Sequence, residues 1–426
     1  MKIEELYRLF LAADGISTDT RKLKKNTLFF ALKGANFNGN EFALEAIKSG
    51  CTYAIVDEEQ YAQHDKCILV KNVLTTLQKL ANHHRMQFNI PVLAITGSNG
   101  KTTTKELIGS VLKKKYNLLM TEGNLNNHLG VPFTLLKLTK EHDFAVIEMG
   151  ANKPGDIHEL AEIAAPNYGL ITNIGAAHLE GFGSFEGVLN TKTELYRYLE
   201  EQGGMIFINQ DDAVLKGKLP DVETYTYGEH SADIIGEMGE LNPFVSFRWR
   251  SKQVTSDLIE TKLIGKYNFT NFLAAVAVGH YFKVAKSDIA EALSDYTPSN
   301  NRSQIQKTDR NTLIVDCYNA NVTSMKAAIE SLVETNHDQK LAILGDMLEL
   351  GKYSKDEHQN IVDFLNKNEL EAVLVGKEFG KTVSSFPVYS DYKAVIEQAG
   401  LEKLSNALVL IKGSRGIRLE NLIEVL

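Results

Sequence analysis

The stretch Pro91–Thr104, PVLAITGSNGKTTT, constrains the fold of this 426-residue chain more than any other. Val92 to Ile95 form an apolar run that predicts a short buried strand, and Thr102 to Leu112 continue with helical spacing. Gly97 and Gly100 lie between the two and allow a turn with inward-pointing amides. A strand, a glycine turn and a helix in this order favour an anion cradle, because N–H groups and the helix dipole converge on one point.

The cradle predicts a nucleotide-phosphate loop, and the alternative is a plain tight turn. In a phosphate loop, Lys101 reaches the β- and γ-phosphates and the Thr102 hydroxyl holds Mg²⁺. The match to the usual pattern is incomplete, because Ile95 stands where that pattern has its first glycine. The residues expected to contact the nucleotide here are Gly97, Ser98, Asn99, Gly100, Lys101, Thr102 and Thr103.

Composition narrows the class of protein. The formal net charge of −8 argues against a nucleic-acid or anionic-membrane surface. Cys51, Cys67 and Cys317 are far apart and odd in number, which is typical of reduced core cysteines in a cytosolic protein. We find neither a signal peptide at the start nor an apolar run of membrane-spanning length, so we expect a cytoplasmic protein.

The order of strands and helices predicts an α/β protein with three domains. Residues 1–88 indicate a small N-terminal α/β domain, which ends before Asn89–Pro91. Residues 89–298 alternate strands and helices around the phosphate loop, as in a mostly parallel sheet. Tyr296–Asn301 is a turn-rich linker, and residues 299–426 indicate a second, Rossmann-like doubly wound domain.

Residues 231–264 differ in sequence pattern from the rest of the central domain. Val245–Trp249 and Thr255–Leu258 are short β-prone pieces that predict a small antiparallel appendage. In the N-terminal domain, Ser17–Arg21 and Lys33–Gly39 carry groups that suit a polar ligand, but their composition favours turns.

Polar residues follow two central strands, at the edge where parallel sheets bind ligands. Glu148 ends the strand Phe144–Glu148 and is either a Mg²⁺ ligand or a solvated carboxylate. His178 lies in a loop of small residues after the next strand and is either functional or an ordinary loop histidine. Lys192 is on a helix that begins near Ser184, where spacing alone favours a solvated face.

Asn268 and Asn271 follow Gly265 at the start of another predicted helix. Residues three apart share a helix face, so both side-chain amides can form hydrogen bonds to one edge of a ligand. The simpler alternative is that Asn268 is the N-cap.

Taken together, these motifs resemble the ATP-dependent Mur ligases of bacterial cell-wall synthesis, over all three domains. The motifs that carry the resemblance are Ser17–Arg21, Thr96–Thr103, Gly123–Pro132, Glu148–Gly150, His178–Gly183, Asn268 with Asn271, Asp316–Asn321, Gly345–Gly351 and Lys412–Arg415. Three of them, Gly123–Pro132, Tyr318–Asn321 and Gly345–Gly351, are similar to the family members that add D-Ala-D-Ala to a UDP-linked muramoyl tripeptide.

The resemblance implies a reaction. The terminal carboxylate of UDP-N-acetylmuramoyl-tripeptide attacks ATP, and the amine of D-Ala-D-Ala then captures the acyl phosphate. Transfer of a phosphoryl group to an anion requires positive charge near the transition state. Lys101 and two Mg²⁺ ions are implied to supply it. From the net charge we expect no nucleic acid or membrane partner, and from a charged surface and three self-contained domains we expect a monomer.

The resemblance also implies roles for individual residues. Thr102 and Glu148 hold the first Mg²⁺, and His178 with a carbamate on Lys192 holds the second, so Lys101, His178 and Lys192 form the catalytic set. Contacts to ATP beyond the phosphate loop are implied for Asn268, Asn271, Arg302 and Asp316. Substrate contacts are implied for Ser17 and Arg21 (the UDP part), Asn124, Asn126 and Asn127 (the muramoyl peptide), and Asn319 and Asn321 (the dipeptide).

Two positions depart from the family pattern. Tyr267 stands where many relatives have His, and Thr193 stands where Gly is common. Neither removes an implied ligand. We expect bound substrates to close the third domain onto the second. The rival functions are a related amino-acid ligase, such as another Mur ligase or a folylpolyglutamate synthase, and a non-catalytic nucleotide-binding relative.

Overall fold

The computed structural model describes residues 1–176, 178–241, 243–298 and 302–426. The N-terminal region has a four-stranded parallel sheet of order β1-β2-β5-β6 and a separate hairpin, β3-β4. Its helices and strands are α1 (Ile3–Leu11), β1 (Ile16–Ser17), β2 (Leu28–Phe30), β3 (Lys33–Gly34), β4 (Phe37–Asn38), α2 (Ala43–Lys48), β5 (Tyr53–Val56), β6 (Cys67–Leu69) and α3 (Val73–Arg85).

The central region supplies a nine-stranded sheet of order β15-β14-β13-β12-β11-β10-β7-β9-β8. Its elements are β7 (Val92–Thr96), α4 (Lys101–Leu112), β8 (Leu118–Met120), α5 (Gly130–Leu135), β9 (Phe144–Glu148), α6 (Asp156–Ala164), β10 (Tyr168–Ile171), α7 (Leu179–Phe182), α8 (Phe185–Lys192), α9 (Glu194–Gln202), β11 (Met205–Asn209), α10 (Ala213–Lys216), β12 (Glu223–Gly228), β13 (Ile234–Leu241), β14 (Phe244–Arg250), β15 (Ile259–Ile264), α11 (Tyr267–Tyr281) and α12 (Lys286–Asp295).

The expected antiparallel strands are present, but one of them lies elsewhere. β13, β14 and β15 pair antiparallel and extend the central sheet at one edge. In Thr255–Leu258, where a β-prone piece was expected, only Thr255 makes an isolated bridge, and the strand runs from Ile259 to Ile264. The alternation of buried and exposed residues explains the position of this strand, since Ile259, Thr261 and Leu263 are buried while Glu260 and Lys262 between them are exposed.

The C-terminal region has a six-stranded sheet of order β16-β17-β21-β18-β19-β20. All of its pairs are parallel except that of the edge strand β16, as expected for a doubly wound domain. Its elements are β16 (Gln304–Lys307), β17 (Thr312–Asp316), α13 (Val322–Glu334), β18 (Lys340–Gly345), α14 (Ser354–Lys367), β19 (Ala372–Val375), β20 (Val388–Tyr389), α15 (Tyr392–Gln398) and β21 (Leu408–Lys412).

Contacts divide the chain into two compact units. The first unit comprises Met1–Ala94, Tyr116–Gly150 and Asp156–Tyr168. The second comprises Ile95–Lys115, Ala151–Gly155 and Gly169–Leu426, so the phosphate loop and the C-terminal sheet belong to the same unit. The expected linker ends in Ser299, Asn300 and Asn301, which lie outside the described residues.

The three cysteines are free thiols. Cys51 is buried in the core of the N-terminal sheet, and Cys67 is half-buried against the same core. Cys317 is buried in the C-terminal core, where burial raises the pKa of its thiol to about 12. The expectation of reduced cysteines is consistent with these positions. None of the helices within the described residues combines the length and hydrophobicity needed to cross a membrane.

Candidate nucleotide-binding site

The phosphate loop has the predicted strand, turn and helix. β7 ends at Thr96 and α4 begins at Lys101, with Gly100 as a left-handed N-cap at φ 78°. Because glycine has no side chain, it leaves the start of α4 uncapped toward a ligand. Gly97 has φ 140°, and a Cβ there would overlap the Thr172 hydroxyl, so the loop needs glycine at both positions.

Lys101 lies over the loop that precedes it. Its Nζ donates hydrogen bonds to the carbonyl oxygens of Gly97 at 2.7 Å and Ser98 at 3.2 Å. The ammonium group is therefore held above the turn where phosphate oxygens bind in loops of this kind.

The loop after β10 fixes the other side of the turn. The Ser98 hydroxyl donates to the Gly175 carbonyl at 3.1 Å, and the Gly175 amide donates back to it at 2.9 Å. The Asn99 amide donates to the Asn173 side chain at 3.1 Å, and the Thr172 hydroxyl donates to the Asn99 carbonyl at 2.6 Å. These bonds restrict the loop in the absence of a ligand, which lowers the ordering cost of binding.

Asn268 and Asn271 support the loop from helix α11. Both are buried, with 2% and 7% exposure. The Asn268 Nδ2 donates to the Ile264 carbonyl, and the Asn268 Oδ1 accepts from the Asn271 Nδ2, both at 2.8 Å. The Asn271 Oδ1 accepts from the Thr104 hydroxyl at 3.0 Å. The N-cap of α11 is Lys266, so the N-cap alternative for Asn268 is wrong. The pair does share one helix face, as expected.

His178 contacts Glu349, a residue that the sequence did not single out. The His178 Nδ1 is in hydrogen-bond contact with the Glu349 carboxylate, and this contact lowers the pKa of Glu349. Both residues have left-handed backbones, at φ 52° and φ 68°. Such strain in residues other than glycine is often stored at functional sites. With Nδ1 turned to a carboxylate, the imidazole presents Nε2 for a ligand, as metal-binding histidines do.

Lys192 is not on a solvated face. It ends helix α8, which begins near Ser184 as expected and has Ser184 as its N-cap, but the exposure of Lys192 is only 2%. Its Nζ lies 5.6 Å from the centre of the Phe182 ring. The solvated reading is wrong because helical spacing does not reveal which face a neighbouring element covers.

The residues expected to contact ATP from the C-terminal region form one cluster. The Arg302 guanidinium stacks at 3.7 Å on the Tyr318 ring, and that of Arg415 lies 5.8 Å from the same ring. The Asp316 carboxylate accepts a 2.6 Å hydrogen bond from the buried Lys412. The cluster therefore combines three cations with one carboxylate, a charge balance that suits a polyphosphate.

Tyr267, the position that departs from the family pattern, is part of the same region. Its hydroxyl lies 2.8 Å from that of Ser303. Burial, with the nearby Asp316 charge, raises the pKa of Tyr267 well above its ordinary value. The phenol therefore stays neutral and acts through its hydroxyl hydrogen bond.

In the first unit, Glu148 ends β9 and is 1% exposed. Its Oε1 accepts a 2.8 Å hydrogen bond from the Asn126 amide. Asn127 caps helix α5, because its Oδ1 accepts from the amides of Leu129 at 3.1 Å and Gly130 at 2.9 Å. Asn124 is exposed. Of the three expected peptide contacts, the Asn126 Nδ2 and the Asn127 Oδ1 thus already have partners within the protein.

The two N-terminal loops adopt turns, as their composition indicated. Asp19 caps a short 3₁₀ turn and pairs with the Arg21 guanidinium through two bonds of 2.8 and 2.9 Å, which lowers its pKa to about 2. Ser17 contacts the Asp19 carbonyl at 3.5 Å. Lys33–Gly39 forms the hairpin β3-β4, and Lys33 pairs with Asp57 and Glu58 at 2.9 Å.

Among the described residues, no group of three or more His, Cys, Asp and Glu residues is arranged to hold a metal ion. The expected magnesium ligands include only two residues of these types, Glu148 and His178, and the others are Thr102 and Lys192. That set of ligands therefore stays a prediction. Its chemistry is reasonable, since hydroxyl, carboxylate and carbamate oxygens are hard donors that suit Mg²⁺.

Replacing Glu349 with Gln tests whether the carboxylate orients His178. We expect turnover to fall about 10- to 100-fold and the Mg²⁺ concentration for half-maximal activity to rise, as when other partners of ligand histidines are removed. Steady-state rates over a Mg²⁺ titration measure both. Glu378→Gln is the matched control, because Glu378 pairs with Ser354 and Lys381 instead. An unchanged Mg²⁺ dependence in Glu349→Gln would contradict this role.

Comparison with known proteins identifies the class. Three family profiles match in succession: the Mur ligase family catalytic domain at residues 13–90, the Mur ligase middle domain at 95–279, and the Mur ligase glutamate ligase domain at 301–415. The chain belongs to the Mur ligase family. The three matched segments confirm the expected α/β fold with three domains.

Three relatives match nearly the whole length of this chain. The UDP-N-acetylmuramoyl-tripeptide–D-alanyl-D-alanine ligase of Bacillus subtilis is 33% identical, over 96% of this chain and 92% of its own. The crystal structure of MurF from Acinetobacter baumannii superposes with a TM-score of 0.89 at 30% identity, covering 99% of this chain and 98% of that one. MurF from Thermotoga maritima, solved with ADP, has a TM-score of 0.88 at 27% identity, covering 97% of each chain.

Proposed function

We propose that this protein is an ATP-dependent ligase that joins D-Ala-D-Ala to UDP-N-acetylmuramoyl-tripeptide in peptidoglycan precursor synthesis. The observation that carries the proposal is the preorganised phosphate loop with Lys101 over its turn, in a chain that aligns along nearly its whole length with ligases of that activity. The ADP complex of the Thermotoga maritima relative supports nucleotide binding by this protein.

The chemistry follows from the thermodynamics of the bond. Amide formation from a carboxylate has an unfavourable free-energy change, so one carboxylate oxygen of the tripeptide must first become a good leaving group. That oxygen attacks the γ-phosphorus of ATP, ADP leaves, and an acyl phosphate forms. The D-Ala-D-Ala amine then attacks the acyl carbon and expels phosphate. Lys101 offsets the repulsion between the anionic carboxylate and the anionic phosphate.

Mg²⁺ supplies further positive charge to the phosphates when it is bound. Thr102, Glu148, His178 and Lys192 remain the proposed ligands, the last as a carbamate. The orientation of His178 by Glu349 supports its part in this set. The burial of Lys192 supports a role in the site rather than on a solvated helix face.

Substrate contacts are proposed at side chains that are at least partly exposed. Ser17 and Arg21 are proposed to seat the UDP part, and Arg21 suits this role because its side chain is 86% exposed. Asn124 and Asn126 are proposed for the muramoyl peptide, and the exposed Asn319 for the dipeptide. Arg302, Asn268, Asn271 and Asp316 are proposed to surround ATP.

We also propose that the enzyme works in the cytoplasm as a monomer. ATP and UDP-linked precursors are cytoplasmic metabolites, and three free cysteines fit a reducing compartment. A net charge of −8 and three domains with their own sheets support a soluble single chain.

Phosphate release from ATP tests this function. With UDP-N-acetylmuramoyl-tripeptide present, we expect adding D-Ala-D-Ala to raise steady-state phosphate release at least about tenfold, because the acyl phosphate turns over only when an amine captures it. L-Ala-L-Ala is the control dipeptide. Mass spectrometry should find the pentapeptide product. Release that is the same with and without D-Ala-D-Ala would refute the proposal and favour a related ligase or a hydrolytic relative.

A further inference from the structure

A direct hydrogen bond joins the phosphate loop to the C-terminal sheet. The Asn321 Nδ2 donates to the Asn99 Oδ1 at 2.7 Å. Asn99 is in the middle of the loop, between the serine and the second glycine, and Asn321 follows β17 at the start of α13. Both residues belong to the second compact unit.

Both polar atoms of the Asn321 side chain have partners within the protein. Its Oδ1 accepts from the Ser324 amide at 2.9 Å and caps α13, while its Nδ2 is used on Asn99. The Ser324 hydroxyl in turn accepts from the Asn321 amide at 3.1 Å. The side chain is also 7% exposed, so it offers little surface to an incoming dipeptide.

The surroundings of this bond are tightly packed. A Cβ at Gly175 would come within 2.9 Å of the Thr323 hydroxyl and 3.2 Å of the Asn99 Nδ2. Gly175 in turn exchanges two hydrogen bonds with Ser98 of the phosphate loop. The start of α13 therefore packs closely against the phosphate loop and against the segment after β10 that contacts this loop.

We propose that Asn321 is a positioning residue that couples the phosphate loop to the Tyr318–Asn321 segment, so that bound nucleotide orders this segment for the amine substrate. This inference rests on the proposed function and changes the role that the sequence suggested for Asn321. Bound nucleotide phosphates restrict the loop further. The loop then restrains Asn99, and Asn99 restrains the first turn of α13 through the bond that is already present without a ligand. Asn319 lies two residues before Asn321 and is exposed, so it is the asparagine of this segment that can bind the dipeptide.

Asn321→Ser tests the coupling. Serine is as good an N-cap as asparagine, so α13 keeps its cap, but its side chain cannot reach Asn99. We expect kcat to fall about three- to tenfold, the worth of one hydrogen bond, with KM for ATP changed less than about twofold. Ser324→Ala is the matched control, since it removes the reciprocal cap bond and leaves the Asn99 bond intact. It should keep kcat within about twofold of the unchanged enzyme.

A double-mutant cycle separates positioning from direct dipeptide binding. If Asn321 acts through Asn99, Asn321→Ser has no further effect in an Asn99→Ala background. If Asn321 binds the dipeptide, the substitution raises KM for D-Ala-D-Ala by the same factor in both backgrounds, and that result would overturn the proposal.

Hydrogen exchange with ADP alone gives a readout that needs neither catalysis nor the dipeptide. We expect ADP to slow amide exchange in residues 320–328 of the unchanged protein and of Ser324→Ala, and to slow it clearly less in Asn321→Ser. Equal protection in all three proteins would overturn the coupling. Because this readout does not depend on the amine substrate, it still decides the coupling if the assay with D-Ala-D-Ala fails.

Discussion

Replacing Lys101 with Met is expected to lower turnover about a thousandfold. The substitution keeps the length and apolar stem of the side chain but removes the charge above the turn, where its Nζ now contacts the Gly97 and Ser98 carbonyls. Removing one preorganised charge that stabilises a phosphoryl-transfer transition state typically has an effect of this size. Phosphate release at saturating substrates measures kcat, and titration with a fluorescent ADP analogue measures what remains of binding.

Lys113→Met is the control for Lys101→Met. Lys113 is exposed at the other end of the same helix and should tolerate the change with activity within about twofold and an unchanged melting temperature. Turnover above about a tenth of normal in Lys101→Met would contradict the role of Lys101, since loss of a merely structural surface contact has effects of that small size.

Replacing Lys192 with Ala is expected to lower turnover at least about a hundredfold, with partial recovery in added formate or acetate. Removing a metal-site group commonly costs that much, and a small carboxylate can occupy the place of a carbamate. Full activity of Lys192→Ala without additive would refute the carbamate. Rescue should be absent in Lys216→Ala, which replaces an exposed lysine and is expected to be fully active.

The carbamate itself has a direct spectroscopic test. Protein equilibrated with ¹³C-bicarbonate should show a carbamate carbonyl resonance that is lost in Lys192→Ala and retained in Lys216→Ala. Because Lys192 is buried, the melting temperature of Lys192→Ala must be measured as well. A stably folded Lys192→Ala that keeps the resonance would show that the carbon dioxide adduct lies elsewhere.

Much of the fold was predictable because its signals are local. The Gly97 and Gly100 turn, the start of α4 and the N-cap at Ser184 follow from the conformational preferences of single residues. The C-terminal strands follow from short apolar runs. The Thr255–Leu258 piece was misplaced because a β-prone composition does not show where burial alternates.

The types of residue in the site were predictable from the sequence, but the side chains that contact these residues were less so. The motifs named His178, Asn271 and Asn321, but not the groups they contact. Glu349 was visible as a member of Gly345–Gly351, and only its left-handed backbone and its contact with His178 distinguish it. Nothing in the sequence indicated the role of the Thr104 hydroxyl, which donates to Asn271, because Thr104 has the position of an ordinary helix residue.

The sequence by itself determined that a strand, a glycine turn and a helix make a phosphate cradle, and that three α/β domains follow one another. Those features depend on sterics and on hydrophobic spacing between near neighbours in the chain. The tertiary structure alone decided that Lys192 is buried, that Glu349 meets His178, and that Asn321 is bound to Asn99. These outcomes depend on which strand ends and helix starts meet in space, and therefore on packing between residues far apart in the chain.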